Sequence, residues 1–248
     1  MSKPLFRCSG VGALLTEPKL KADKEAGNLS QTAKTFVRNI WLQNEYGYRE
    51  YLQNDAMTKG LMQEQDSMEL VQDVLGGQFR TKNRERFQNE YLIGTPDIIL
   101  PDCIEDIKTS KNLRTFMEAD IEDLYEAQAM SYMELKGIHS YRLIYALVPD
   151  SQEAITNAKE RLSYSFGRDY SNTDYIEQCE QLQHNNDVIL TIPKEHRIKV
   201  FAFDWSRDYI DRLYAKCEKA REYYNTISLF HKGILATPIQ EGMMVSGL

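Results

Sequence analysis

Residues 94–110 read GTPDIILPDCIEDIKTS, and this stretch holds two Pro-Asp pairs, a Glu-Asp pair and one lysine. Its two apolar segments are separated by Pro101-Asp102, and a proline followed by an aspartate between such segments is typical of a turn. We therefore expect residues 97–100 and 103–108 to form a β-hairpin, with Asp102 in its turn. Several charged residues nevertheless lie within a hairpin whose composition is typical of buried strands, and their placement needs a physical reason.

The alternation of side chains along a strand divides these charges between two faces. Asp106 and Lys108 project from one face of the second strand, whereas Glu105 and Ile107 project from the other. Asp97 begins the preceding strand, so the hairpin places it near Asp106. We therefore expect two carboxylates and one ammonium group to meet at one end of the sheet.

Two carboxylates beside a lysine suit the hydrolysis of a phosphodiester. Mg²⁺ is held in proteins by one or two carboxylates together with waters and substrate phosphate. The metal polarises the phosphoryl group and lowers the pKa of bound water, and a nearby lysine orients that water or stabilises developing charge. The alternative is structural: Lys108 pairs with an acid at a hairpin edge, and Asp97 caps a turn. The pattern of the stretch does not by itself separate these two interpretations.

Composition narrows the class of protein. The 248 residues are 42% hydrophobic and 27% charged, which is ordinary for a globular domain, and the net charge is −7. That charge argues against a protein that coats nucleic acid, because such proteins are usually basic. Long apolar runs and a signal peptide are not evident, so we expect a cytoplasmic protein. The four cysteines lack CxxC spacing and are interpreted as reduced thiols, and the four histidines lack the spacing of metal ligands.

The hydrophobic pattern predicts helices alternating with short strands. We expect helices at 31–47, capped by Ser30, at 55–75, ending at Gly76-Gly77, at 118–136 and at 206–226, with two more between 150 and 184. Strands are expected at 141–148, and at 187–193 and 196–204 around a turn. This order of helices and strands predicts a single α/β domain with mixed strands over residues 1–227. A partly ordered extension is expected over residues 228–248.

The residues assembled so far resemble the PD-(D/E)xK nuclease superfamily. The closest likeness is to the branch that contains RecB-type nuclease domains, lambda-type phage exonucleases and YqaJ-like viral recombinases. Asp97, Asp106 and Lys108 stand in the positions of that branch's G-x-x-D…D-x-K strand pair. The resemblance implies a restriction-endonuclease-like core, in which helices flank a short mixed central β-sheet.

Two further motifs carry the same resemblance. Gln128-x-x-x-Tyr132 is similar to the helical QxxxY signature of the branch, and positions i and i+4 share one helix face. The resemblance implies that Gln128 orients phosphate or a metal-bound water and that Tyr132 contacts the DNA backbone. Glu64 follows Gly60 as the family's helical glutamate does and would be a third metal ligand, with Glu69 as the reserve candidate. The carbonyl of Ile107 would complete the metal shell.

Candidate DNA-binding residues are basic or polar. The segment FRCSGVGALLTEP resembles the serine-containing opening helix of phage members, which grips the DNA backbone, and this implies roles for Arg7 and Ser9. Basic residues on either side of the hairpin are expected to line a DNA groove, the alternative being a solvated loop surface; they are Lys82, Arg84, Arg86, Lys111 and Arg114.

The resemblance implies a Mg²⁺-dependent DNA nuclease, in which Mn²⁺ is expected to substitute for Mg²⁺. The leading interpretation is a phage-type exonuclease that acts on linear duplex ends in recombination or replication. A structure-specific endonuclease or nickase is the first alternative. The second is a catalytically inert nuclease-fold module that binds DNA or a protein partner. The joint presence of Asp97, Asp106, Lys108 and Gln128 argues against the inert module.

The same resemblance bears on cofactors and partners. Iron–sulfur members of the branch have clustered cysteines after the nuclease core, whereas Cys179 and Cys217 stand apart, so no iron–sulfur cluster is expected. The sequence has no GxxxxGK[ST] motif for an ATP-driven motor. Some members of the branch close into rings, so the resemblance is compatible with a homo-oligomer. A single-strand annealing or binding protein is a further possible partner that the resemblance implies. A phage origin would place the protein in the cytoplasm of a bacterial host.

Overall fold

The computed structural model describes residues 3–49, 63–121 and 123–231. Its helices are α1 (Lys21–Glu25), α2 (Gln31–Tyr46), α3 (Glu64–Leu75), α4 (Leu113–Glu118), α5 (Asp123–Lys136), α6 (Gln152–Ser165), α7 (Thr173–Thr191) and α8 (Arg207–His231), with 3₁₀ turns at Val11–Leu15 and Lys194–His196. Its strands are β1 (Phe6–Arg7), β2 (Phe87–Gln88), β3 (Leu92–Gly94), β4 (Ile98–Ile99), β5 (Ile104–Thr109), β6 (Ser140–Ala146) and β7 (Ile198–Asp204). Within these ranges, no helix has the length and apolar character needed to cross a membrane.

The central sheet has four strands in the order β4-β5-β6-β7. β5 and β6 are parallel, and the two outer pairs are antiparallel, so the predicted mixed sheet is present. The chain crosses from β5 to β6 through α4 and α5, as a parallel pair requires. A smaller sheet, β1-β3-β2, precedes it. Its middle strand leads through residues 95–97 into β4, so the smaller sheet adjoins the proposed site.

Helices bury both faces of the central sheet. The main core joins β1, the first 3₁₀ turn, α2, α5 and α8 to one face, and its fully buried members include Met133, Leu143 and Ile210. On the other face, α3 packs Leu70 and Val71 against β6. The face covered by α5 carries Asp106, whereas the face covered by α3 carries Glu105. The sheet is therefore a rigid support for both groups.

The hairpin and several helix boundaries follow the sequence prediction. Ile98 pairs with Glu105 and Ile99 with Ile104, which is the predicted register of the hairpin. The Ser30 hydroxyl accepts a hydrogen bond from the backbone N–H of Ala33 at 3.0 Å, so the predicted cap of α2 is confirmed. Of the predicted helix at 55–75, residues 64–75 form α3 and Gln63 is its N-cap, whereas residues 55–62 lie outside the described residues.

Two secondary-structure predictions were wrong. Residues 187–191 continue α7 instead of forming a strand: Ile189 packs beside Phe116 and Leu147 at 4% exposure, while Leu190 is 62% exposed. An apolar run that buries one face at helical spacing looks like a strand when it is short. The helix predicted at 118–136 begins at Asp123, as α5, and residues 113–118 form the separate helix α4, which begins at a capping box between Asn112 and Thr115.

The end of the domain stays a prediction. α8 begins one residue after the predicted start and continues to His231. Residues 232–248, which make up most of the predicted extension, lie outside the described residues.

Candidate active site

The hairpin register brings two acidic residues into contact. Since Ile98 pairs with Glu105, residue 97 lies opposite residue 106. The carboxyl groups of Asp97 and Asp106 lie close enough for the charge of one to act on the other, and Asp106 is 1% exposed. Burial, followed by the negative charge of Asp106, raises the pKa of Asp97 from 3.8 to about 7. The site therefore holds two carboxyl groups that are unfavourable to ionise together.

Lys108 supplies positive charge beside these carboxyls. Its Nζ lies 2.7 Å from Oδ1 of Asp106 and 5.6 Å from the ring centre of Tyr125. Burial alone would lower the pKa of Lys108, but attraction to Asp106 and then to Asp97 outweighs burial and raises it. The lysine is therefore an ammonium group at neutral pH and cannot be a general base in this arrangement.

Asp106 also receives two hydrogen bonds from neutral side chains. Gln128 donates from Nε2 to Oδ2 of Asp106 at 2.6 Å, and Tyr141 donates from its hydroxyl to the same oxygen at 3.1 Å. The pKa of Tyr141 is raised well above its ordinary value by burial and then by Asp106, so its hydroxyl stays protonated. The sequence pattern indicates Gln128 but not Tyr141, because the sequence does not show which side chain an aromatic residue in a buried strand will contact.

Tyr132 lies against the first glycine of the GTPD motif. A Cβ at Gly94 would lie 2.6 Å from Cε1 of Tyr132 and 2.8 Å from Sγ of Cys8, so only glycine leaves room for both side chains. Tyr132 is 6% exposed, and burial raises the pKa of its hydroxyl above the ordinary value. The glycine and the tyrosine of the two motifs are thus one packing unit beside Asp97.

Glu64 is the predicted third metal ligand, and its carboxylate is engaged by a lysine. It begins α3 and forms an ion pair with Lys82, which in turn lies close enough to Asp97 to lower that residue's pKa. The reserve candidate Glu69 is exposed to solvent and accepts a hydrogen bond from Gln65 at 2.9 Å. Within the described ranges, no three His, Cys, Asp or Glu side chains are gathered as a metal centre. The roles of Glu64 and of the Ile107 carbonyl stay predictions.

The two aspartates fit a divalent cation. They are the hard oxygen donors that Mg²⁺ prefers, and they are only partly neutralised by Lys108. Oδ1 of Asp106 is buried and accepts no well-aligned hydrogen bond within the described part of the chain, although it contacts Lys108. A cation bound between the two carboxylates would offset the burial and the charge of Asp106, which together raise the pKa of Asp97.

On the opposite face of β5, the buried carboxylate of Glu105 is paired with arginines of the protein itself. Glu105 is fully buried and is held by Arg80, with Nε–Oε2 and Nη2–Oε1 distances of 2.7 and 3.2 Å. Arg142, its direct neighbour on β6, adds a third contact at 3.0 Å. Glu105 is therefore neutralised by protein, and the excess of carboxylate over cation lies on the Asp106 face.

A basic groove lies beside Tyr132 and Thr95. Its volume is about 980 Å³, and its lining includes Arg7, Ser9 and Arg86. Burial lowers the pKa of Arg7, and the positive charges of Arg49 and Arg86 lower it further. These like charges close to one another make the groove attractive to an anion.

The remaining predicted DNA-binding residues do not share this groove. Lys82 is paired with Glu64, and Arg114 is paired with Glu118 on exposed α4 at 2.9 Å. Arg84 is exposed, and Lys111 lines a separate cavity of about 600 Å³ formed largely by α6 and α7. The structure therefore brings together three of the seven predicted residues.

A solved exonuclease structure matches this fold over nearly the whole chain. The chain matches a phage related exonuclease from Haemophilus somnus 129PT with a TM-score of 0.72 and 26% identity, over 92% of this chain and 97% of that one. The chain has the fold of a phage-type exonuclease. This confirms the predicted family resemblance and the restriction-endonuclease-like core.

Two further solved structures, at lower sequence identity, share this fold. An alkaline exonuclease from Laribacter hongkongensis matches with a TM-score of 0.62 and 12% identity, over 94% of both chains. The same enzyme in complex with dAMP matches with a TM-score of 0.60 and 12% identity, over 93% of both chains. No protein-family model matches the sequence, and no curated protein matches it significantly.

Proposed function

We propose that this protein is a divalent-metal-dependent deoxyribonuclease that degrades linear DNA from its ends. The observation that carries the proposal is the convergence of Asp97, Asp106 and Lys108 on one face of a sheet whose fold matches a phage related exonuclease. That match supports a nuclease enzyme. The dAMP bound to the Laribacter exonuclease is a DNA nucleotide, which supports DNA as the substrate here.

Asp97 and Asp106 would hold the metal ion, with the Ile107 carbonyl as a further ligand and Glu64 assisting once it leaves Lys82. We propose Mg²⁺ as the natural ion and Mn²⁺ as its substitute, since both accept carboxylate oxygens in such sites. When bound, the ion supplies Lewis acidity and an activated water. The protein's own contribution is to keep two carboxylates fixed and buried.

Lys108 would stabilise charge rather than remove a proton. Its raised pKa keeps it as an ammonium group, which can donate hydrogen bonds to the attacked phosphate and hold the attacking water. Gln128 keeps Asp106 oriented through the 2.6 Å hydrogen bond to Oδ2. Tyr132, on the same helix face, would meet the DNA backbone where the groove opens.

The basic groove would hold the phosphates of the substrate strand. Arg7 and Arg86 provide charge, and the Ser9 hydroxyl provides a hydrogen-bond donor, beside Thr95 of the hairpin. A local concentration of arginine in a chain of net charge −7 would confine DNA to this groove, because the rest of the surface repels it. Homo-oligomer formation, an annealing protein partner and a cytoplasmic location stay predictions from the sequence.

Digestion of labelled DNA tests the proposal. End-labelled linear duplex, single-stranded DNA and closed circular duplex are incubated with the purified protein and Mg²⁺, Mn²⁺ or EDTA. We expect release of mononucleotides from linear DNA with either metal, no release in EDTA and an intact circle. Cleavage of the circle would identify the endonuclease or nickase alternative, and inactivity on every substrate would favour the inert module.

Variants assign the activity to the site. Lys108→Ala and Asp106→Asn are expected to reduce cleavage by at least 100-fold while the far-UV circular dichroism spectrum stays that of the wild type. Asp102→Asn, in the hairpin turn, is the matched control and is expected to keep full activity. Full activity in either site variant would refute the assignment.

A further inference from the structure

The two oxygens of the Asp106 carboxylate have different surroundings. Oδ2 accepts hydrogen bonds from Gln128 at 2.6 Å and from Tyr141 at 3.1 Å. Oδ1 contacts the Lys108 ammonium at 2.7 Å and accepts no well-aligned hydrogen bond from the described residues. Because two donors hold Oδ2, the carboxylate cannot rotate about its Cβ–Cγ bond without losing both of them.

We propose that Tyr141 is a positioning residue that fixes the Asp106 carboxylate so that Oδ1 faces the metal site. This inference rests on the proposed function, and it adds to the motif residues a side chain from a different strand. A ligand carboxylate held by a second hydrogen-bonding residue keeps one orientation, and loss of such a residue typically weakens metal binding by about 10–100-fold.

The register of the sheet explains how Tyr141 reaches Asp106. Tyr141 on β6 pairs with Ile104 on β5, and Ile104 and Asp106 are two residues apart on the same face of β5. The Tyr141 side chain therefore extends along that face toward the carboxylate. Tyrosine has the length to span this diagonal and ends in a single donor.

Packing makes Tyr141 a rigid donor. The residue is 1% exposed, and its ring makes an edge contact with Phe203 on β7, with ring centres 6.0 Å apart at an angle of 70°. A buried hydroxyl needs a hydrogen-bond partner, and Asp106 provides one. A rotation of the ring away from Asp106 would leave the hydroxyl unsatisfied and disturb the contact with Phe203.

The Lys108 ammonium contacts Oδ1 of Asp106, the oxygen to which Tyr141 does not donate. The Lys108 side chain is 30% exposed, compared with 2% for Asp106, so the ammonium is the movable partner of the ion pair. Oδ1 is thus held by a group that can withdraw, whereas Oδ2 is held by two buried groups that cannot. This asymmetry distinguishes a carboxylate prepared for an incoming cation from one committed to a salt bridge.

The test is isothermal titration of Mn²⁺ into the metal-free protein, which measures binding without catalysis. Tyr141→Phe removes one oxygen atom and preserves the ring. We expect Mn²⁺ to bind this variant about 10–100-fold more weakly than the wild type. The electron paramagnetic resonance spectrum of bound Mn²⁺ is also expected to change, because the orientation of a ligand carboxylate is altered.

Tyr214→Phe is the matched control. It removes a hydroxyl that donates to a carboxylate elsewhere, Glu134 at 3.1 Å, and it is expected to bind Mn²⁺ as the wild type does. If Tyr141→Phe does not fold, Tyr141→Met removes the same donor with an apolar side chain of adaptable shape.

The outcomes separate this inference from the proposed function. Equal Mn²⁺ affinity and equal spectra in wild type and a folded Tyr141 variant would overturn the positioning role and leave the metal site standing. If the wild type itself binds no Mn²⁺, the proposed metal-dependent function fails, and the positioning role fails with it. Equal weakening in the Tyr214 control would show a general loss of structure and would also overturn the inference.

Discussion

Replacing Asp97 by asparagine is expected to change how the stability of the metal-free protein depends on pH. Asp97 has a pKa of about 7 in the folded chain, compared with 3.8 as the ordinary value. Because the folded state binds this proton more tightly than the unfolded state, it gains stability at low pH and loses it as pH rises from about 4 to about 7. Above pH 7 the loss is complete, since Asp97 is then ionised in both states.

The size of this effect follows from the shift. A change of about three pKa units at about 1.4 kcal/mol each gives an upper limit of ~4 kcal/mol for the cost of ionising Asp97 beside Asp106. An asparagine side chain at this position carries no charge at any pH and would avoid this cost. We therefore expect Asp97→Asn to raise the free energy of unfolding at pH 8 by roughly 2–4 kcal/mol relative to the wild type, and by much less at pH 4.

Urea denaturation in EDTA between pH 4 and pH 8 measures this difference. Comparing the variant with the wild type cancels the contributions of the other acids, and Asp102→Asn in the turn is a control expected to track the wild type. Saturating Mg²⁺ at pH 8 should stabilise the wild type more than Asp97→Asn, because a cation neutralises the same charge. If the free-energy difference between variant and wild type were independent of pH, the interpretation that folding raises the pKa of Asp97 would be refuted.

Three other substitutions test separate parts of the structure. Gly94→Ala forces a Cβ into the Tyr132 ring and is expected to lower the free energy of unfolding by about 1–3 kcal/mol, as measured by thermal denaturation. Arg80→Met removes one cation from the fully buried Glu105 and is expected to cost about 3 kcal/mol in urea denaturation. Arg86→Ala is expected to weaken DNA binding in Ca²⁺ for all sequences and to reduce the slope of log affinity against log salt by about one, as measured by fluorescence anisotropy.

For each of these three predictions, one experimental result would contradict it. Wild-type stability in Gly94→Ala would mean that the glycine is not required by packing. Wild-type stability in Arg80→Met would mean that Arg142 alone neutralises Glu105. For the groove, Arg114→Ala removes an equal charge from exposed α4 and serves as the control. Equal losses of DNA affinity at Arg86 and Arg114 would refute a binding site confined to the groove.

The sequence alone determined the local features of the site. The turn at Pro101-Asp102 and the alternation of apolar residues set the hairpin register, and that register places residue 97 opposite residue 106. Helical spacing placed Gln128 and Tyr132 on one face of α5. These predictions succeed because turn geometry, strand alternation and helix periodicity depend on residues close together in the chain.

The residues that complete the site from distant parts of the chain depend on tertiary packing. Tyr141 reaches Asp106 because β6 lies parallel to β5 in one register, and Glu64 is paired with Lys82 because of where α3 begins. The same dependence explains the failure at 187–191, where an apolar run joined α7 because Ile189 had a core to pack against. Local sequence pattern thus predicts that Asp97, Asp106 and Lys108 lie together on one face of the sheet. The residues that fix their orientation and charge come from segments far apart in sequence, because packing between those segments brings them together.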